Sequence, residues 1–254
     1  MIEPEARPIL DDVTLVAVTS VAREATVEAL QRSMEQVQFA RVLLCSDQPP
    51  PPVLDHAIEW RGIPRLRSRS DYSRFMLCNL AGHIGTSHAL CVQWDGFVLN
   101  GKAWDPSFLD YDYIGAVWPH FADGHDVGNG GFSLRSRRLL EAASALPFEG
   151  HESEDIVIAR IGRPQLEEQG IRFAPAAIAR RFAYERTPPS GNEFGFHGAF
   201  NLVRYLPPED TLRLFRSLES GMLSRNERFE LFRWALIRGR TKLALTMLAK
   251  LANQ

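Results

Sequence analysis

The sequence predicts an α/β protein built on a doubly wound sheet and followed by a helical appendage. Three observations predict it. The first sixty residues read as strand, helix, strand and short strand, which is how such a sheet begins. An apolar run at residues 88–92 ends in Gln93-Trp94-Asp95-Gly96-Phe97, a carboxylate beside a glycine, and strand ends are where open α/β sheets place ligands. From Pro207 onward the apolar residues recur at helical spacing instead.

Taken in order, residues 13–18 are a β-branched apolar run and predict a first parallel strand. Thr19-Ser20 ends it and offers a cap for the next helix. Val27, Leu30, Met34 and Val37 fall at helical spacing within residues 23–37. Residues 41–45 predict a second strand, Pro49 to Pro52 a stiff exposed loop, and residues 57–60 a short third strand. Ser70-Asp71 reads as the cap of a helix over 72–84. After the strand into Asp95 comes a loop-rich, aromatic middle at 100–129. A glycine turn at 128–131 leads into a strand, then helices at 135–145 and 154–161. Residues 171–174 predict a strand, 175–182 a helix, and 187–199 a Gly- and Pro-rich loop. A boundary is expected between a domain at 1–204 and an appendage of three helices at 205–254.

The chain has 254 residues, 45% of them hydrophobic, enough for a sizeable core. Its formal net charge of -2 argues against a generic nucleic-acid binder. The charge is uneven: residues 205–254 hold nine Lys and Arg against five Asp and Glu, while the rest is net -6. Cys45, Cys78 and Cys91 lack metal-ligand spacing and read as buried free thiols in a reducing compartment. Residues 1–5 lack the apolar core of a signal peptide, and no apolar run approaches the roughly 18 residues of a membrane span. A cytoplasmic protein is expected.

Five features carry candidate chemistry. Asp95 stands where a carboxylate can hold Mg²⁺ or Mn²⁺ on a diphosphate, or can simply cap a turn. His151-Glu152-Ser153-Glu154-Asp155 opens a helix, where acids complement the macrodipole and where one of them can serve as a general base. Gly128-Asn129-Gly130-Gly131 allows close backbone approach to a ligand, although it matches no phosphate-loop spacing and is followed by a strand. His197, between Phe196 and Gly198 in a loop, is a late metal-ligand or phosphate candidate, or a structural histidine. Trp118, beside Pro119 in a loop, is the aromatic best placed to stack on a sugar.

These segments occur together and in order: Val16-Ala17-Val18-Thr19-Ser20, Tyr72-Ser73-Arg74-Phe75, Gln93 to Asn100, Trp104, Tyr111 to Ala116, Gly128 to Arg135, Glu154-Asp155 and Phe196-His197-Gly198. Over roughly residues 12–203 the chain resembles a bacterial family of unknown function allied to GT-A glycosyltransferases. The resemblance implies a GT-A-like (Rossmann-like) mixed sheet flanked by helices, a nucleotide-sugar donor and a Mn²⁺ or Mg²⁺ ion. It implies that Asp95 matches the last Asp of an Asp-x-Asp motif, with Gln93 where the first Asp belongs, and that His197 is the late metal ligand. Glu154 and Asp155 become the acceptor-side acids, Asp155 the base. Thr19, Ser20, Arg23, Asp47, Tyr72, Arg74, Gln93 and Trp94 become donor contacts, and Trp118, Asn129, Gly130 and Gly131 contacts to sugar or acceptor. The function so implied is an inverting, metal-dependent transfer of a sugar to a glycan or other hydroxyl acceptor. The alternatives are a non-catalytic nucleotide- or glycan-binding module, or a scaffold that uses its C-terminal helices. Peripheral contact through those basic helices is a further expectation, and no nucleic acid is expected as a partner.

Overall fold

The computed structural model describes residues 6–50, 57–219 and 222–252. It divides into two compact units, 1–197 and 198–254. The expected appendage lies wholly in the second, which also takes in the helix before residue 205.

The first unit opens with β1 (Ile9–Thr19), α1 (Arg23–Gln36), β2 (Gln38–Ser46) and β3 (Ile58–Gly62). There follow α2 (Arg69–Cys78), β4 (His88–Val92), β5 (Tyr113–Ile114), β6 (Ala116–Val117), β7 (Val127–Gly128) and β8 (Phe132–Ser136). It closes with α3 (Arg137–Ala143), α4 (Glu154–Ile156), α5 (Arg163–Glu168), α6 (Ala176–Phe182), β9 (Ala183–Tyr184) and β10 (Gly195–Phe196). Six strands form one mixed sheet in the order β3-β2-β1-β4-β8-β5. The first four run parallel, and β8 lies antiparallel to both β4 and β5. Two small ribbons, β6–β7 antiparallel and β9–β10 parallel, stand apart from it.

Alternation along β1 splits the core into two layers. Leu15 and Ala17 join Val27 and Leu30 of α1, Leu44 and Leu90 on one face. Val16 and Val18 join Phe75 and Met76 of α2, Leu43, Cys91 and Leu140 on the other. The mixed α/β sheet flanked by helices is therefore as the sequence predicts, and so is the helical C-terminus.

The structure departs from the local sequence signals at several joints. Thr19 and Ser20 do not cap α1. The cap position is Ala22, left-handed at φ 46°, with no side-chain bond, while Ser20 Oγ accepts Leu66 N–H at 2.9 Å. The cap of α2 is Ser68 rather than Ser70: its Oγ accepts Asp71 N–H at 3.0 Å, and Asp71 Oδ2 accepts Arg67 N–H at 2.8 Å. That helix stops at Cys78 and gives way to a 3-10 turn over Leu80–His83. Arg135 belongs to strand β8, and Ser136 caps α3 by accepting Leu139 N–H at 3.0 Å. The α4 helix continues as a π-helical turn over Val157–Ile161. The strand expected at 171–174 is reduced to an isolated bridge between Phe173 and Tyr113. Cys45 and Cys91 are buried free thiols, but Cys78 is exposed. The Pro49 to Pro52 loop lies in part outside the described residues.

The second unit contains α7 (Ala199–Tyr205), α8 (Pro208–Ser217), α9 (Arg225–Ile237) and α10 (Thr241–Ala252). Leu214, Phe215, Leu231, Ala235, Leu243 and Met247 are buried in it. A capping box starts α9, with Ser224 and Glu227 exchanging bonds. Among the described residues no helix is long and apolar enough to cross a membrane.

Replacing Ser68 by Ala removes an acceptor from an open N–H of α2, and is expected to cost about 1 kcal/mol. Ser70→Ala should leave the urea midpoint of unfolding unchanged. Equal loss in both variants would show the cap to be misplaced.

Candidate functional site

Strand β4 delivers Gln93, Trp94 and Asp95 past its last paired residue. Gly96 N–H closes a turn on Gln93 C=O at 3.1 Å, and Gln93 N–H donates to Gly131 C=O at 3.0 Å. That last bond lays the glycine turn beside the end of β4. Asp95 is 5% exposed there.

His197 arrives from the other side of the chain. The β9–β10 ribbon sets it, with His197 N–H donating to Tyr184 C=O at 3.0 Å. Its Nε2 lies 3.2 Å from Asp95 Oδ1 and its Nδ1 3.7 Å from Glu185 Oε1. Asn129 Nδ2 donates to the other Glu185 oxygen at 3.0 Å. Burial alone would lower the His197 pKa, but Asp95 and Glu185 outweigh it and hold the imidazolium well above the ordinary value. Burial likewise works to raise Glu185, and the bond from His197 overrides it and lowers the pKa. Two carboxylates thus face the ring, one at each nitrogen, and favour its protonated form.

The turn between β7 and β8 separates this trio from a second acidic pair. Asn129 sits at φ 75°, a left-handed conformation that Asn tolerates, and its Oδ1 accepts Gly131 N–H at 2.9 Å. A Cβ on Gly131 would stand 2.0 Å from His197 Nε2, and one on Gly130 would stand 2.1 Å from Glu154 Oε1. Both glycines are thus demanded by what packs on them. Glu154 is 3% exposed and pairs with Arg135, which is wholly buried, at 3.1 Å. Arg135 also donates to Ser133 Oγ at 3.0 Å and Gly130 C=O at 3.3 Å. Burial and the neighbouring Asp155 raise the Glu154 pKa against the pull of Arg135. Asp155 is less buried: its Oδ2 accepts Gly130 N–H at 2.9 Å, and its Oδ1 accepts Ile156 N–H at 2.9 Å and the Ser153 hydroxyl.

Other expected site residues divide by where the fold puts them. Gln93 Nε2 donates to Tyr72 Oη at 2.9 Å; burial and the nearby Glu154 push the Tyr72 phenol up. Thr19 spends its hydroxyl on a turn with Val21, and Arg23 begins α1. Asp47 follows β2, with Oδ1 buried and accepting no hydrogen bond among the described residues. Arg74 is exposed, its guanidinium 5.1 Å over the Phe148 ring. Trp94 is half-buried beside Asp95. Trp118 is a correction. It follows β6 and is 6% exposed, packed edge-on to Phe121 in a core cluster with Leu139 and Val157, so no open face is left for a sugar. Arg135 and Glu185 also belong to the site. Arg135 was hidden by an adjoining helical pattern, and Glu185 carries no local signal at all.

A divalent ion can be tested against these groups. Two ligands at right angles on an octahedral ion, each about 2.1 Å away, lie about 3.0 Å apart. Asp95 Oδ1 and His197 Nε2, at 3.2 Å, fit that spacing. Glu185 at Nδ1 is the kind of carboxylate that orients a ligating imidazole. Among the described residues no three His, Cys, Asp or Glu converge as a metal site; Asp95 and His197 are a pair whose spacing would fit.

The profile of a family described as "Protein of unknown function (DUF5672)" matches residues 61–197, more than half of the chain. No curated protein matches significantly. A solved structure of the mannosyltransferase PcManGT from Pyrobaculum calidifontis, in complex with GDP-Man and Mn²⁺, is similar at a TM-score of 0.45 and 13% identity, over 98% of this chain and 75% of that one.

Two outcomes test the site. Glu154→Gln leaves the Arg135 guanidinium buried without its counter-charge and is expected to cost about 3–5 kcal/mol in urea unfolding. Adding Arg135→Met should restore most of the loss, and additive costs would deny the pairing. For His197 the folded pKa is raised above its ordinary 6.5. Its stabilisation is therefore complete below that value and is lost as pH climbs through the folded pKa. In chelator the melting temperature should fall on the alkaline side of neutrality, and His197→Gln should flatten that fall.

Proposed function

We propose that this chain, which belongs to the DUF5672 family, is a glycosyltransferase that uses a nucleotide-sugar donor and a divalent ion. One observation carries the reading: Asp95 and His197 face each other at 3.2 Å at the end of β4, with an acidic pair just across the glycine turn. A Mn²⁺ or Mg²⁺ ion held at Asp95 and His197 would neutralise charge on the diphosphate leaving group. Glu185 would keep Nε2 directed at that point, with Asn129 fixing Glu185.

Asp155 is the better base of the two acids, because Glu154 is committed to Arg135. The acceptor oxygen attacks the anomeric carbon, the bond from that carbon to the diphosphate oxygen breaks, and the acceptor proton passes to the Asp155 carboxylate. Direct displacement inverts the anomeric centre. Glu154 and Arg135 hold the turn that carries Gly130 N–H to Asp155, so they are positioning residues. Tyr72 and Gln93 border the donor side, and Asp47, whose buried Oδ1 after β2 accepts no hydrogen bond among the described residues, is a candidate for nucleobase N–H groups.

A second reading, a nucleotide- or glycan-binding module without turnover, is favoured by the lack of a third converging ligand among the described residues and by Gln93 in place of a carboxylate. A screen of nucleotide sugars with Mn²⁺ and candidate acceptors separates them. Transfer should be seen in the wild type. Asp155→Asn should lower kcat about 100- to 10,000-fold while nucleotide binding persists, and Asp95→Asn should weaken Mn²⁺-dependent nucleotide binding itself. Binding without transfer would favour the module. No melting shift with any nucleoside diphosphate would sink both readings.

A further inference from the structure

The second unit carries a surface that the transfer chemistry does not use. Among the described residues nine large hydrophobic side chains are exposed, and five of them lie on α9 and α10. On α9 these are Phe229, Leu236 and Ile237, the last 70% exposed. Phe229 and Leu236 are two helical turns apart and share one stripe. Exposed Arg225 and Arg233 lie one turn before and one turn after Phe229 on that same stripe. On α10, Leu245 and Leu248 are exposed at i,i+3 spacing, 65% and 49%, with exposed Lys242 one turn before Leu245.

Charge decides what would cover such a face. Exposed cations on α9, its C-terminal end and the start of α10 are Arg225, Arg233, Arg238 and Lys242, while Arg228 is buried and Arg240 donates to Leu206 C=O; α10 contains no acid. A second protein copy would meet like charge with like charge. Nucleic acid would satisfy the cations but leave the aliphatic groups facing phosphate. A surface that takes both is an anionic bilayer, with aliphatic side chains at the acyl boundary and cations among the headgroups. Both helices are too short to span: α9 has 13 residues and α10 has 12.

We propose that the exposed faces of α9 and α10 are a membrane-surface docking element for anionic lipid. Phe229, Leu236, Ile237, Leu245 and Leu248 enter the interface, while Arg225, Arg233 and Lys242 meet lipid phosphates. The proposal does not depend on glycosyl transfer, since vesicle binding is read without donor, acceptor or metal.

The test is flotation of the full chain with vesicles of phosphatidylcholine alone or of equimolar phosphatidylcholine and phosphatidylglycerol. The chain should float with the anionic vesicles and not with the neutral ones, and molar salt should release much of it. Arg233→Gln with Lys242→Gln, and separately Leu236→Ser with Ile237→Ser, should each lower partitioning about tenfold. All four side chains are exposed, so circular dichroism should show both variants folded; if the apolar pair fails that check, the charge pair decides. Equal recovery on both vesicle types, or none on either, overturns the proposal. So does light scattering that shows a dimer abolished by Leu236→Ser with Ile237→Ser.

Discussion

The placement of His197 between two carboxylates is the constraint on which the candidate site rests. A buried imidazolium is costly in a low-dielectric interior unless its charge is compensated on the spot. Asp95 and Glu185 supply that compensation from opposite ring nitrogens. The pairing has structural reach. Asp95 comes from the central sheet, Glu185 and His197 from the β9–β10 ribbon, and Asn129, which holds Glu185, from the glycine turn. Three separate stretches of chain are tied to one ring.

The glycine turn acts as the partition of the site. Gly131 has its missing side chain filled by His197, and Gly130 by Glu154. The backbone between them separates the His197 side from the Glu154 side. Arg135 makes the partition rigid by binding Gly130 C=O and Glu154 together.

The fold was legible where apolar pattern and burial coincide. The runs at 13–18, 41–45 and 88–92 are strands buried on both faces, so their continuous apolar character reads directly. Asp95, Gly130, Gly131, Glu154, Asp155 and His197 were legible as residue types near turns and element ends. Their mutual distances were not, since these depend on pairings far apart in sequence. Glu185 shows the limit: only the Tyr184–Phe196 register brings it to His197. Arg135 shows another. The run Arg135-Ser136-Arg137-Arg138-Leu139-Leu140 reads as a helix, but the pairing of Arg135 with Ala89 and Tyr113 extends the strand and turns its side chain into the core. Trp118 was misjudged because its neighbour Pro119 signals a loop, whereas the ribbon beside it gives the indole a place to be buried.

The most direct measurement is the binding of Mn²⁺, followed by the loss of its free-ion paramagnetic resonance signal, with and without nucleoside diphosphate. The account predicts one ion per chain, tighter with the diphosphate present because its oxygens complete a site of two protein ligands. Asp95→Asn and His197→Gln should each abolish that binding, and Glu185→Gln should weaken it about 10- to 100-fold. Binding that is absent in the wild type, or that survives loss of both Asp95 and His197, would contradict it.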